Sequence, residues 1–254
     1  MLTRAQIQRL AQRHGIGVQA QERDYIQHLL LFSVCQKSQQ LVFKGGTALR
    51  IVYKGNRYSE DLDFNGPANI PSIKELWHGV LQDLRDFGVN AEIRNEWQSE
   101  VGYSFDVSYQ GPLYDGRDRT KGKVRIDIST RPEKIETQRE LVTSEYDDVR
   151  PFVATVIRLD HLLAEKVRAL FMRSKARDVY DIWLLTSQGV RMDKALVKKK
   201  LALYHVTLSK ANLDNALEKA KRDWTRDLRP LLPQLVPWRD AMARVAPLLS
   251  ELIS

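Results

Sequence analysis

Two aspartates, Asp61 and Asp63, stand two residues apart in the run Ser59-Glu60-Asp61-Leu62-Asp63-Phe64. Successive side chains of an extended strand alternate between faces, so both carboxylates share one face while Leu62 and Phe64 point the other way, into a core. Carboxylates that close repel one another unless a cation sits between them. Magnesium meets that need with hard oxygen ligands and keeps positions open for substrate phosphates, and a pair of such ions is the common arrangement in phosphoryl chemistry. Asp127, in Arg125-Ile126-Asp127-Ile128, alternates in the same way and could supply a third carboxylate. An Asp-x-Asp alone is weak, because any solvated strand face can carry one.

A second feature gives the pair weight. Lys44-Gly45-Gly46-Thr47 follows the short apolar run Leu41 to Phe43 and precedes the helical stretch Ala48 to Tyr53. Glycines at a strand-to-helix turn let the backbone approach a ligand with no Cβ in the way, and the amides at the helix start face an anion. The plain alternative is a tight turn, which favours glycine as well. An amide cradle for phosphates and a carboxylate pair for metal are together the two halves of a nucleoside triphosphate site.

The elements that must position these residues follow from periodicity. Thr3 can cap a short helix with Ile7, Leu10 and Ala11 on one face and Gly15 at its end, and a second helix runs from Glu22 to about Gln36. These would form an N-terminal helical cap over residues 1–40. Strands are expected at Leu41 to Phe43, Tyr58 to Phe64, Val89 to Trp97, Val101 to Tyr109, Lys123 to Ser129 and Phe152 to Arg158, with a helix from Ile73 to Phe87. The polar segment Arg131 to Arg150 reads as a loop. Beyond it the pattern is wholly helical: Asp160 stands where an N-cap would, ahead of Leu162, Leu163, Val167 and Leu170, and further helices are expected at Ala176 to Leu185, Lys194 to Tyr204, Lys210 to Lys221 and Trp238 to Leu252. Pro230 to Pro237 separates the last two. The fold class is α+β: a mixed sheet flanked by helices over residues 41–159, then an all-helical domain over 160–254.

Lys166 lies at the edge of the apolar stripe of its helix, where it could snorkel to a cleft and neutralise triphosphate charge; the alternatives are a surface lysine or a partner for Glu165. In Arg177-Asp178-Val179-Tyr180-Asp181 the acids sit where the helix dipole favours them. Asp178 suits a structural pair with Arg177 or Arg173, whereas Asp181, one turn on, could face the cleft and orient Lys166 or the substrate. Tyr180, Trp183 and Leu184 read as core.

The chain carries a net charge of +8, and residues 191–254 hold 13 basic against 7 acidic side chains, so the positive surplus is concentrated at the C-terminal end. That is the pattern expected of a region that holds a polyanion, with a solvated helix surface as the plain alternative for Lys198-Lys199-Lys200. No apolar run approaches a membrane span of roughly 18 residues, and the polar N-terminus does not read as a secretory signal. The single Cys35, expected as a small core residue, excludes a disulfide framework, which agrees with a reducing compartment and a cytoplasmic protein. The five histidines show no metal-ligand spacing.

The run FKGGTALRIVYKGNRYSEDLDF, with the later runs LDHLLAEKVRALFMR and KARDVYDIWLL, resembles the AbiEii/AbiGii toxin family of nucleotidyltransferases. These are toxins of type IV toxin–antitoxin and phage-abortive systems within the DNA polymerase β-like superfamily, and the resemblance spans residues 41–185 with the three blocks in family order. It implies a polymerase β-like nucleotidyltransferase core. Gly45, Gly46, Ser59, Asp61 and Asp63 would carry the Gly-Ser-x-Asp-x-Asp-type signature, Lys166 would be the catalytic lysine and Asp181 the distal aspartate. Thr47 replaces the usual serine as hydroxyl donor, so the nucleotide would meet Lys44, Gly45, Gly46, Thr47, Ser59 and Lys166. Asp61 and Asp63, with Asp127 as an open third ligand, would hold two magnesium ions. The implied reaction moves a nucleoside monophosphate from a nucleoside triphosphate to an acceptor hydroxyl, with RNA, tRNA in particular, as acceptor. A cognate antitoxin that need not bind directly is implied as well. Transfer to a protein or small-molecule hydroxyl, and a non-catalytic nucleotide-binding regulator, are the competing readings.

Overall fold

A computed structural model describes residues 1–253, which form two compact units, Met1–Ile157 and Arg158–Ser254. The first contains α1 (Arg4–His14), α2 (Val18–Lys37), β1 (Val42–Lys44), α3 (Gly45–Ile51), β2 (Asp61–Asn65), α4 (Ile70–Asp86), β3 (Asn90–Ser99), β4 (Gly102–Gln110), β5 (Gly122–Ser129), β6 (Thr137–Val142) and β7 (Phe152–Ile157). The strands make one mixed sheet in the order β3-β4-β5-β2-β1-β7-β6. β2 runs parallel to β5 and β1 parallel to β7, while the other pairs are antiparallel.

One face of the sheet is the core. Phe43 and Phe64 lie opposite each other across β1 and β2, their rings 5.3 Å apart, and the aromatic contact continues through Trp77 of α4 to Phe105 and Tyr103 of β4. Leu62, Ile126 and Phe105 form a second row on the same face and are fully buried. Large aromatics packed edge to face are stiff as well as stabilising. The opposite face of the same strands is therefore held on a rigid platform.

Thr3 caps α1 with both halves of a capping box, and Gly15 ends it in the left-handed region, as the sequence suggests. α2 starts a turn earlier than its apolar pattern indicates, because it buries polar as well as apolar residues: Gln21, Glu22, Asp24, Gln27 and His28 all lie inside. Cys35 is only half-buried, and burial pushes its thiol up to about 12. Within the run read as a loop, β6 pairs antiparallel with β7 along its whole length. As an edge strand it has a solvated face, and its inward positions Gln138 and Glu140 are polar, so no hydropathic alternation marks it.

The second unit contains α5 (Leu159–Arg173), α6 (Ala176–Ser187), α7 (Lys194–Leu203), α8 (Lys210–Leu228) and α9 (Trp238–Ile253). Arg158, not Asp160, occupies the N-cap of α5; Asp160 lies in the first turn, where its carboxylate takes a 3.0 Å bond from Arg158 Nη2. α8 continues past Lys221 to Leu228 because Trp224 and Leu228 extend the buried stripe of Leu213, Ala216 and Ala220. Lys198 and Lys199 are exposed, whereas Lys200 is 1% exposed with Nζ 2.7 Å from Glu165 Oε1. The three lysines are thus not one solvated run. Among the described residues no helix is long and apolar enough to cross a membrane.

Candidate active site

Strand register turns the Asp-x-Asp pattern into a grid. Lys44, Asp63, Asp127 and Ser104 stand in one row across β1, β2, β5 and β4, and Asp61, Arg125 and Asp106 stand in the next. All three candidate metal carboxylates consequently lie on the face opposite the aromatic core. Arg125 sits among them: Nη2 donates to Ser104 Oγ at 2.8 Å and Nη1 to Asp106 Oδ1 at 3.2 Å, and Nε is 3.6 Å from Asp127 Oδ1. Burial, and then the Asp63 carboxylate, push Asp127 above the usual carboxylate range in spite of Arg125. At Asp106 burial acts in the same direction, but hydrogen bonds from Asn95 and Arg125 and the charge of Lys123 outweigh it and hold that carboxyl low.

The glycine pair touches this grid. Gly45 has φ +79°, and a Cβ there would lie 2.0 Å from Asp63 Oδ2; one on Gly46 would meet Arg57 Nη2 at 2.5 Å and Ser59 Oγ at 2.7 Å. Gly45 is therefore required both by its backbone and by the close approach of Asp63, whereas at Gly46 the tips of Arg57 and Ser59 would have to give way. Thr47, expected as a hydroxyl donor to the phosphates, is instead fully buried, and its hydroxyl donates to the Asp61 carbonyl, which ties the first turn of α3 to β2. Gly45→Ala is expected to lower stability by about 1–2 kcal/mol through its left-handed backbone, and to weaken magnesium-dependent nucleotide binding because the methyl group displaces Asp63. Nucleotide titration of the variant checks this; unchanged affinity would mean the glycine serves only the turn.

α2 secures the segment entering β2. Gln27 Nε2 donates to the Ser59 carbonyl at 3.2 Å, and Arg23 Nη1 is 3.0 Å from Glu60 Oε1. Asp24, 2% exposed, accepts from Tyr146 at 2.7 Å and lies 3.3 Å from Arg50 Nε of α3, whose guanidinium stacks 4.2 Å over Tyr58. Arg57, 3% exposed beside Gly46 and Ser59, belongs to the site and has no periodic signal that would single it out. Its one clue is its place two residues before Ser59.

In the second unit Lys166 and Asp181 are brought together. Lys166 Nζ is 2.7 Å from Asp181 Oδ2, and the pair lies within the α5–α6 contact with the two side chains 7% and 0% exposed. Lys166 is thus no edge residue, because α6 covers it. Glu165 instead takes Arg168 and, from α7, Lys200. Asp178 accepts two hydrogen bonds from Arg173, at 2.8 and 2.7 Å. Tyr180 is fully buried, its ring 5.2 Å from that of Trp183.

Among the described residues no three Asp, Glu, His or Cys side chains converge closely enough to form a closed metal cage. Magnesium does not require one, being held through one or two carboxylates with waters and substrate phosphates completing its shell. The neighbouring carboxylates of Asp61 and Asp63, with Asp127 in register, are a donor set of that kind.

A family model described as the nucleotidyl transferase AbiEii toxin of type IV toxin–antitoxin systems matches residues 29–244. The chain is similar in structure to the nucleotidyltransferase toxin MenT4 of Mycobacterium tuberculosis, at 20% identity and a TM-score of 0.72, over 99% of this chain and 90% of that one. It is similar also to JHP933 from Helicobacter pylori, at 19% identity and a TM-score of 0.58, over 93% of each chain. No curated protein matches. At these identities the structural likeness speaks for the fold, and the family match for the activity.

Proposed function

We propose, from the premise that the chain belongs to the AbiEii family of nucleotidyl transferase toxins of type IV toxin–antitoxin systems, that it transfers a nucleoside monophosphate to the 3′ end of an RNA, a tRNA in particular. The observation that carries this reading is the grid of Asp61, Asp63 and Asp127 on one sheet face, with Gly45 pressed against the Asp63 carboxylate. Magnesium held by Asp61 and Asp63 would supply Lewis-acid stabilisation of the triphosphate as charge moves to the leaving group. The acceptor hydroxyl oxygen bonds to the α-phosphorus as the bond to the pyrophosphate oxygen breaks, and the hydroxyl proton passes to solvent. Lys44, Gly45, Gly46, Ser59 and Arg57 would hold the phosphates. Lys166, set by Asp181, would steady the pyrophosphate, since an ammonium has three donors. Positioning and charge neutralisation are what such a transfer needs, so no histidine or cysteine nucleophile is invoked. A cytoplasmic toxin of a toxin–antitoxin or phage-defence locus would act this way, with an antitoxin that need not touch it.

The test supplies labelled nucleotides to separate pools of RNA, protein and small hydroxyl acceptors. Label in RNA supports the reading; label in protein or a small acceptor with none in RNA refutes it. The basic second unit adds a further expectation. Lys198→Glu with Lys199→Glu should lower the log–log salt slope of RNA binding by about 0.7 for each phosphate that is no longer neutralised. Both are exposed, so stability should stay within about 0.5 kcal/mol. Lys200 must be left in place, as it answers Glu165. Parallel salt lines for variant and wild type would make these lysines ordinary solvated surface.

A further inference from the structure

The polar face of the sheet continues beyond Asp61 into a cavity of about 350 Å³ lined by Arg23, Glu60, Asp61, Asp106, Lys123 and Arg125. Strand order defines its place. The glycine pair follows β1 on one side of β2, whereas Lys123, Arg125 and Asp106 belong to β5 and β4 on the other. Phosphates gathered at the glycines would thus approach Asp61 from one flank and leave the cavity on the other flank open to a second reactant. Its volume falls in the range of small-ligand sites, roughly 300 Å³ and upward.

The charges lining the cavity show what that reactant is. Three cations and three carboxylates line it. Arg23 is paired with Glu60 at 3.0 Å and Arg125 with Asp106 at 3.2 Å and Asp127 at 3.6 Å, whereas Lys123 lies at the longer 3.5 Å from Asp106, which it shares with Arg125. Lys123 is therefore the lining cation held most loosely, and the one that a phosphodiester can draw from its carboxylate. Arg125 is anchored by Ser104 as well, while Lys123 is 63% exposed on the rim and can swing to a ligand with little rearrangement. A compact lysine ammonium suits a single phosphate as a point charge.

We propose that this cavity seats the 3′-terminal nucleotide of a polynucleotide acceptor, with Lys123 on the phosphodiester that joins it to its neighbour, so that the terminal hydroxyl lies beside Asp61. The inference rests on the reading that the acceptor is RNA and adds where its end is held. Lys123 is then a specificity determinant for polynucleotides over acceptors that lack that phosphate.

The test measures binding of a short oligoribonucleotide to wild type, Lys123→Gln and Lys123→Arg, with the last phosphodiester either normal or replaced by a neutral methylphosphonate. Losing a hydrogen bond to a charged group corresponds to about a tenfold loss of affinity. Neutralising the linkage should weaken binding to wild type and to Lys123→Arg about tenfold, and to Lys123→Gln less than about threefold. Melting temperatures of the three proteins should agree, which shows that any loss is not one of folding. An equal effect of the neutral linkage on all three would overturn the assignment, even for an enzyme that extends RNA. A wild-type protein that labels protein or small molecules but no RNA would overturn the RNA reading itself, and the assignment with it.

Discussion

Asp61→Asn is expected to abolish nucleotidyl transfer while leaving the fold in place. The amide keeps the size of the side chain and the backbone hydrogen bonds of the strand, including the carbonyl that accepts from Thr47. What it removes is a negative charge from a face where Asp63 and Asp127 already crowd one another. Loss of one like charge relieves repulsion in the metal-free protein and offsets what the carboxylate gives its own neighbours, so thermal stability should change little. Metal-ion stabilisation of a transferring phosphoryl group is worth several kcal/mol, and each 1.36 kcal/mol is a factor of ten, so turnover should fall on the order of 10³-fold or more. Pyrophosphate release and a melting curve on the same preparation measure both halves. An Asp61→Asn variant that keeps wild-type turnover would remove the metal site from the account.

Lys166→Ala is expected to lower both stability and activity. Its ammonium is 2.7 Å from a carboxylate that is 0% exposed, and truncation removes that counter-charge from a buried carboxylate. Breaking a buried pair from one side costs about 3–5 kcal/mol, whereas replacing both partners with apolar groups of similar size is often neutral. The double variant Lys166→Met with Asp181→Leu should therefore recover most of the melting temperature lost by Lys166→Ala. If Lys166 serves the phosphates, the double variant should still be inactive. Recovery of activity along with stability would make the pair a structural strut and nothing more. A phosphate-binding lysine at the edge of its helix would have lost activity with the melting temperature unchanged. The cover that α6 lays over Lys166 is what reverses that expectation.

The features legible in the sequence were those governed by local rules. Alternation placed Asp61 and Asp63 on one face, and Thr3 as a cap marked the start of α1; the glycine pair reads as a turn ahead of a helix from Ala48, whereas α3 already starts at Gly45 and ends at Ile51. What escaped depends on neighbours distant in the chain. β6 takes its identity from the ladder it forms with β7, not from its own polar residues. Lys200 looks like its two exposed neighbours until Glu165 is found beside it, and Lys166 looks amphipathic until Asp181 is opposite. Arg57, Arg125 and Asp106 reach the site through strand register and the approach of Gly46, neither of which is encoded within a short window. The buried polar side of α2 is hidden for the same reason: Asp24 and Gln27 satisfy Tyr146 and the Ser59 carbonyl, partners far along the chain.

The central claim is that the Asp61 and Asp63 site adds nucleotides to RNA ends, and it is met most directly by sequencing RNA 3′ ends after incubation of total RNA with the protein, magnesium and all four nucleoside triphosphates. The expected result is untemplated nucleotides at 3′ termini, concentrated in tRNA, with none added by Asp61→Asn. Unextended 3′ ends from a preparation that nonetheless releases pyrophosphate, or equal extension by wild type and Asp61→Asn, would contradict it.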